Sequence, residues 1–122
     1  MMALVLLVED TEDNRLMMTR LLEMSGYCVV EAQNGEEAVR VAEEQEPDLI
    51  LMDLSLPIID GLAATRLIRE LPNNKQTPII AVSAHDTADF HAEAITAGCD
   101  GYVTKPIEFA ELEELISSLL KR

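Results

Sequence analysis

The chain has 122 residues, 48% of them apolar, enough for one domain with its own core and no disulfide or structural metal. Its 23 acidic residues outweigh nine basic ones for a net charge of −14, which argues against direct contact with nucleic acid or an anionic membrane and leaves a basic or apolar protein surface as the partner. No run approaches the roughly 20 apolar residues of a membrane span, and the opening MMALVLLV lacks a signal peptide's basic start and small-residue cleavage site, so a soluble, cytoplasmic protein is expected.

In chain order, ALVLLV (3–8) reads as a strand buried on both faces. EDNRLMMTRLLEMSG (12–26) follows as a helix stopped by Gly26, and YCVVEA (27–32) as a less apolar strand that suits a sheet edge. NGEEAVRVAEEQ (34–45) is a helix capped by Asn34, with acidic residues in its first turn where the helix dipole favours them. DLILM (48–52), introduced by Pro47, is the third strand, and DLSLPIIDG (53–61) is a turn in which Asp60-Gly61 leads into the helix LAATRLIREL (62–71). NNKQ is a polar loop before the strand PIIAVS (78–83), and DTADFHAEAITAG (86–98) is a helix stopped by Gly98. GYVT (101–104) is a short fifth strand, and EFAELEELISSLLKR (108–122) a last helix with Phe109, Leu112, Ile116 and Leu119 along one stripe.

Strict alternation of strands and helices implies βαβ crossovers and a parallel sheet covered on both faces, an α/β doubly wound fold. Such sheets bind ligands beyond the carboxyl ends of their strands. Glu9 and Asp10 follow the first strand, Asp53 the third, Ser83 the fourth and Lys105 the fifth, at successive spacings of 43, 30 and 22 residues. Parallel strands put all of them on one rim. Two carboxylates ~5 Å apart repel by roughly 3 kcal/mol at an effective dielectric of ~20. One lysine cannot neutralise three, but a divalent cation can, and all-oxygen ligands favour a hard, partly hydrated ion such as Mg²⁺ beside a phosphate. Lys105 then serves as a point charge for an anionic oxygen of a bound group, and Ser83 as a hydroxyl donor.

Four segments on that rim, LVED, LILMDLSLPIIDG, AVSA and GYVTKP, together resemble a response-regulator receiver domain of two-component signalling, chemotaxis-regulator-like, over essentially residues 1–122. The resemblance implies a flavodoxin-like (βα)₅ sheet with strand order 2-1-3-4-5, the order the chemotaxis member exemplifies. It implies Asp53 as phosphoacceptor from a histidine kinase or histidine phosphotransfer protein, in a Mg²⁺-dependent reaction. Glu9, Asp10, Asp53 and the Ser55 carbonyl would hold the ion, Glu9 through a water, since the family's commoner pair is Asp-Asp. Lys105 and Ser83 would contact the phosphoryl group, and Ser83 with Tyr102 would form the switch to a target on the helix 4–strand 5–helix 5 face. Ser83 stands where threonine is commoner, and Ser55 and His85 occupy variable positions flanking the phosphoryl group. Lys105-Pro106 matches a bond usually cis in the family, as X-Pro bonds can be at low cost.

The resemblance implies a signalling domain that assists its own phosphorylation and dephosphorylation rather than an enzyme. A flavin carrier would need a phosphate-cradling loop and more aromatics than two Phe and two Tyr, and a phosphoaspartyl hydrolase wants an acid at Ser55. A non-phosphorylated pseudo-receiver should have lost part of the acidic pocket. The chain stops after its last helix, so it is expected to signal by binding a partner or relaying phosphate, or else to be a receiver cut from a hybrid histidine kinase. Helix 1 offers Asn14, Arg15, Met17 and Met18 for kinase choice, against a plainer reading in which Met17, Met18 and Met24 pack inward. Cys28 and Cys99 read as small buried residues in a reducing compartment, and His85 and His91 as solvent-facing. Tyr102, apart from the resemblance, reads as a half-buried strand aromatic.

Overall fold

Side-chain parity along the strands divides the core into two layers. In the computed structural model, which describes residues 2–56 and 59–121, β1 (Leu4–Val8) sends Leu6 and Val8 to one layer and Val5 and Leu7 to the other. Strands β2 (Cys28–Ala32), β3 (Leu49–Asp53), β4 (Ile79–Ser83) and β5 (Gly101–Thr104) complete one parallel sheet in the order 2-1-3-4-5. Helices α2 (Gly35–Gln45), α3 (Gly61–Glu70) and α4 (Ala88–Ala97) cover the first layer through Ala38, Ala42, Ala64, Ile68 and Ala94. Helices α1 (Glu12–Met24) and α5 (Phe109–Leu120) cover the second through Met18, Leu22, Leu112, Ile116 and Leu119. Each central strand is therefore apolar on both faces, which is why their sequences run continuously apolar.

Caps fix where the helices begin. Asn34 accepts from the Glu37 amide at 2.8 Å, Asp60 from Ala63 at 2.8 Å and Thr87 from Phe90 at 3.3 Å. The Thr87 cap starts α4 two residues after the expected Asp86. The polar NNKQ segment overlaps a 3-10 turn, Pro72–Asn74, that composition alone did not signal. Its Asn74, 1% exposed, donates to the Ala42 carbonyl and accepts from Arg69 through its own carbonyl. Arg69 also reaches the Gly98 carbonyl and Asp100, tying α3 to the end of α4 and the approach to β5.

Two expectations about side chains are corrected. Cys28 is exposed because its edge strand has no cover there, while Cys99 is buried. Met17 and Met24 are exposed at 55% and 84%, since the inward stripe of α1 runs through Met18 and Leu22, four residues apart. His91 keeps a solvent-exposed side chain while its ring lies on Tyr102. Pro57 and Ile58 of the predicted turn, and Arg122 at the predicted end of the last helix, lie outside the described residues.

Candidate functional site

The sheet delivers its acidic and basic residues to one rim by register. The ladder continues past β1 as the Glu9 amide donates to the Ala32 carbonyl, past β3 as Leu54 donates to Val82, and past β5 as Lys105 donates to Ser83. Asp53 is the last residue of β3 and 3% exposed. Its two carboxylate oxygens are both engaged: Lys105 Nζ donates to Oδ2 at 3.1 Å and the Ser55 amide to Oδ1 at 2.9 Å.

Glu9, Asp10 and Asp53 each bring a carboxylate oxygen within 4.8 Å of the others. Burial pushes the Glu9 carboxyl above its ordinary range, and the nearby Asp53 charge and Asp10 add to this against the Thr11 amide and Lys105. The Thr11 amide donates to Glu9 Oε2 at 3.0 Å, and Arg15 donates to the Glu9 carbonyl at 2.9 Å while pairing with Glu31. Three carboxylates with a single ammonium leave net negative charge in an all-oxygen donor set, and that chemistry fits a hard divalent cation such as Mg²⁺.

The start of α3 lies against the end of β3. A Cβ on Gly61 would overlap the backbone of Asp53 and Leu54, so only glycine lets the start of α3 lie against the end of β3. Thr65, fully buried, donates to the Gly61 carbonyl at 2.8 Å and fixes that first turn.

Ser83 is 2% exposed, and its hydroxyl accepts from the His85 amide at 3.0 Å. Tyr102 packs partly buried against the layer beneath α4 and donates its hydroxyl to the His85 carbonyl at 2.6 Å. The Lys105-Pro106 peptide is cis. The structure thus brings Glu9, Asp10, Asp53, Ser55 and Lys105 together directly, with Ser83 and Tyr102 joined to each other through His85.

Of the helix 1 candidates, Asn14, Met17 and Met18 line a cavity of about 270 Å³ that runs from Asp53 past Lys105 and Pro106 to Phe109. Met18 is 6% exposed and the Arg15 side chain 12%, so neither is a free surface residue. The hold of Arg15 on the Glu9 carbonyl and the ring contact of His91 with Tyr102 have no sequence signal, because both depend on which way a surface helix is turned.

The family model for the response regulator receiver domain matches residues 5–117. The polar-differentiation response regulator DivK of Brucella anthropi is 38% identical over 116 residues, covering 95% of this chain and 94% of its own. The transcriptional regulatory protein PrrA of Mycobacterium bovis is 36% identical over 97% of this chain, which spans only 50% of PrrA. The receiver domain of sensor histidine kinase PA1611 from Pseudomonas aeruginosa, whose crystal structure has a magnesium ion in its active-site cleft, superposes at TM-score 0.93 with 37% identity over the whole of both chains.

Proposed function

This chain belongs to the response regulator receiver domain family, and we propose on that premise that Asp53 accepts a phosphoryl group from a histidine kinase or histidine phosphotransfer protein. The carrying observation is a buried carboxylate at a strand end, with Lys105 3.1 Å from one oxygen and two more acids beside it. In this reading residues 1–122 form one receiver domain, a cytoplasmic signalling domain that assists its own phosphorylation and dephosphorylation. Among the described residues no helix is long and apolar enough to cross a membrane.

The reaction asks the protein for position and charge rather than covalent machinery. An Asp53 oxygen attacks the phosphorus of a phosphohistidine; the new O–P bond forms as the P–N bond breaks, and the electron pair leaves with the imidazole nitrogen. Lys105 exchanges its contact with Asp53 for a phosphoryl oxygen, and the Ser83 hydroxyl donates to another. The Ser55 amide orients the attacking carboxylate. Glu9, Asp10, Asp53 and the Ser55 carbonyl would hold Mg²⁺, which when bound offsets the charge on the phosphoryl group and the acids. Retention of all three acids counts against a non-phosphorylated pseudo-receiver. A downstream protein would then read the α4–β5–α5 face. Likeness to PA1611 supports a second setting for the same chemistry, as the receiver of a hybrid kinase.

Acetyl phosphate with Mg²⁺ should label the protein at one site, with labelling abolished by Asp53→Asn and by Asp10→Ala while circular dichroism stays native. Equal labelling of Asp10→Ala and wild type would overturn the metal assignment, and labelling of Asp53→Asn would overturn the phosphoacceptor.

A further inference from the structure

Helix α4 and strand β5 meet through a pair of rings. The Tyr102 ring on β5 lies on the His91 ring of α4, with centroids 3.9 Å apart and planes 22° from parallel. His91 is itself held, because its Nε2 lies 2.7 Å from Asp86 Oδ1 in the loop between β4 and α4. The Tyr102 hydroxyl returns to the same loop at the carbonyl of His85, the residue next to Asp86. His85, Asp86, His91 and Tyr102 therefore close a circuit of contacts. A second ring pair, His85 on Phe90 at 4.3 Å and 8°, ties the loop to the first turn of α4.

The His91–Asp86 contact by itself adds little to folding stability. The His91 and Asp86 side chains are 41% and 65% exposed, and exposed pairs of this kind contribute little to folding. The placement of His91 over Tyr102 has a different consequence. Tyr102 cannot leave its position without parting from His91 or taking α4 with it.

We propose that His91, held by Asp86, is a positioning residue that clips Tyr102 to α4, so that a displacement begun at Ser83 moves α4 and not the tyrosine alone. The inference rests on the phosphoacceptor reading of Asp53. The Ser83 hydroxyl that would turn to a phosphoryl group is the acceptor of the His85 amide, and the His85 carbonyl is the acceptor of the Tyr102 hydroxyl. Loss of the first bond frees His85, and Tyr102 then carries His91 and the helix with it. A coupling of this kind acts only through contacts that differ between the two states.

The chain has no Trp and two Tyr, so a Tyr27→Phe background leaves Tyr102 as its sole tyrosine fluorophore. The full chain is titrated with Mg²⁺ and beryllofluoride while tyrosine fluorescence and the amide shifts of residues 88–97 are followed, and acetyl phosphate labelling is measured separately. Fluorescence and shifts should change together in the background protein. In His91→Ala, labelling should stay within about twofold and Tyr102 should still respond, but the α4 shift changes should fall to about half or less. His91→Phe, which keeps a ring, should restore them, and His91→Gln should not. Should His91→Ala fold poorly, Asp86→Ala frees the imidazole while leaving it in place and should reduce the same shifts. Full α4 response in His91→Ala beside a normal background overturns the clip alone, as does rescue by Gln rather than Phe. A background protein that neither labels nor responds overturns the phosphoacceptor reading and the clip with it.

Discussion

Ser83 and Tyr102 are bonded to opposite sides of one residue: the His85 amide donates to Ser83 Oγ at 3.0 Å, and the His85 carbonyl accepts from Tyr102 Oη at 2.6 Å. Neither side chain touches the other in any bond of its own, so a change at Ser83 reaches Tyr102 by way of that backbone. Ser83→Ala removes the acceptor while leaving Asp53 and Lys105 intact. Labelling by acetyl phosphate should fall by less than about tenfold, the scale of one neutral hydrogen bond. Amide shifts in residues 84–110 on adding beryllofluoride should lose most of their amplitude. An unchanged response in the variant would show that the signal leaves the site by another route.

The acid cluster sets a pH dependence of opposite sign to that of an ordinary carboxylate. Burial raises the Glu9 carboxyl above its usual 4.5, so the folded state holds that proton more tightly than the unfolded chain. The contribution of Glu9 to stability is present below the usual value and is lost as pH rises through the raised one. Without Mg²⁺, thermal stability of wild type relative to Glu9→Gln should therefore fall as pH increases above that usual value. Millimolar Mg²⁺ should restore it, because a cation among the carboxylates offsets the ionised form. Melting curves of the two proteins across that range, with and without the metal, decide the matter.

The fold was legible because each central strand is a short run, apolar up to its last residue, and because rim residues fall at strand ends whose order the alternation implies. Asp53, Lys105, Glu9 and Asp10 could be placed on one edge from that logic alone. Side-chain direction on the surface was not legible. Helix α1 carries apolar residues at 16, 17, 18, 21, 22 and 24, too many for one stripe to select, and only packing shows that Met18 and Leu22 face inward. Cys28 misled for a related reason: a strand at the sheet edge has one poorly covered face, and residue type does not say which. The buried Asn74 was invisible because its partners, Ala42 and Arg69, belong to other elements.

Gly61 ties the start of α3 to the position of Asp53, the proposed phosphoacceptor. Adding a methyl group there would drive α3 away from the carbonyl end of β3 or shift Asp53 itself. Gly61→Ala should cost about 1–3 kcal/mol in urea unfolding, the usual scale of overpacking. It should also slow acetyl phosphate labelling, measured well below the unfolding midpoint. Lost stability with undiminished labelling would mean the strand end holds its place and the helix yields.

The two cysteines should behave oppositely toward thiol reagents, and the buried one should respond to alkali. Burial pushes the Cys99 thiol up to about 11, so the folded state keeps its proton where the unfolded chain loses it. Its contribution is complete below the ordinary thiol value of 9.0 and declines as pH rises toward about 11. Wild type should lose on the order of 2 kcal/mol relative to Cys99→Ala across that window. Below it, one thiol per chain, the exposed Cys28, should react with a disulfide reagent under native conditions. Fast modification of both would mean that Cys99 is reached through local opening.

Adjacent residues on α1 separate docking from folding. Met17 and Met18 both border the cavity that leads from Asp53 to Phe109, but Met17 is 55% exposed whereas Met18 is 6% exposed in the layer under α1 and α5. A partner bringing a phosphohistidine to Asp53 must cover this cavity, but acetyl phosphate is small enough to reach the carboxylate without touching Met17. Met17→Glu should therefore reduce phosphotransfer from a cognate kinase by about tenfold or more, the loss of a buried apolar contact plus an uncompensated charge, and leave acetyl phosphate labelling within about twofold. Met18→Ala opens a void in the core and should cost about 2–5 kcal/mol. It should lower both activities together, and only near the unfolding transition. Parallel loss from both donors in Met17→Glu, with native stability, would place the docking surface elsewhere and assign Met17 a role in shaping the site.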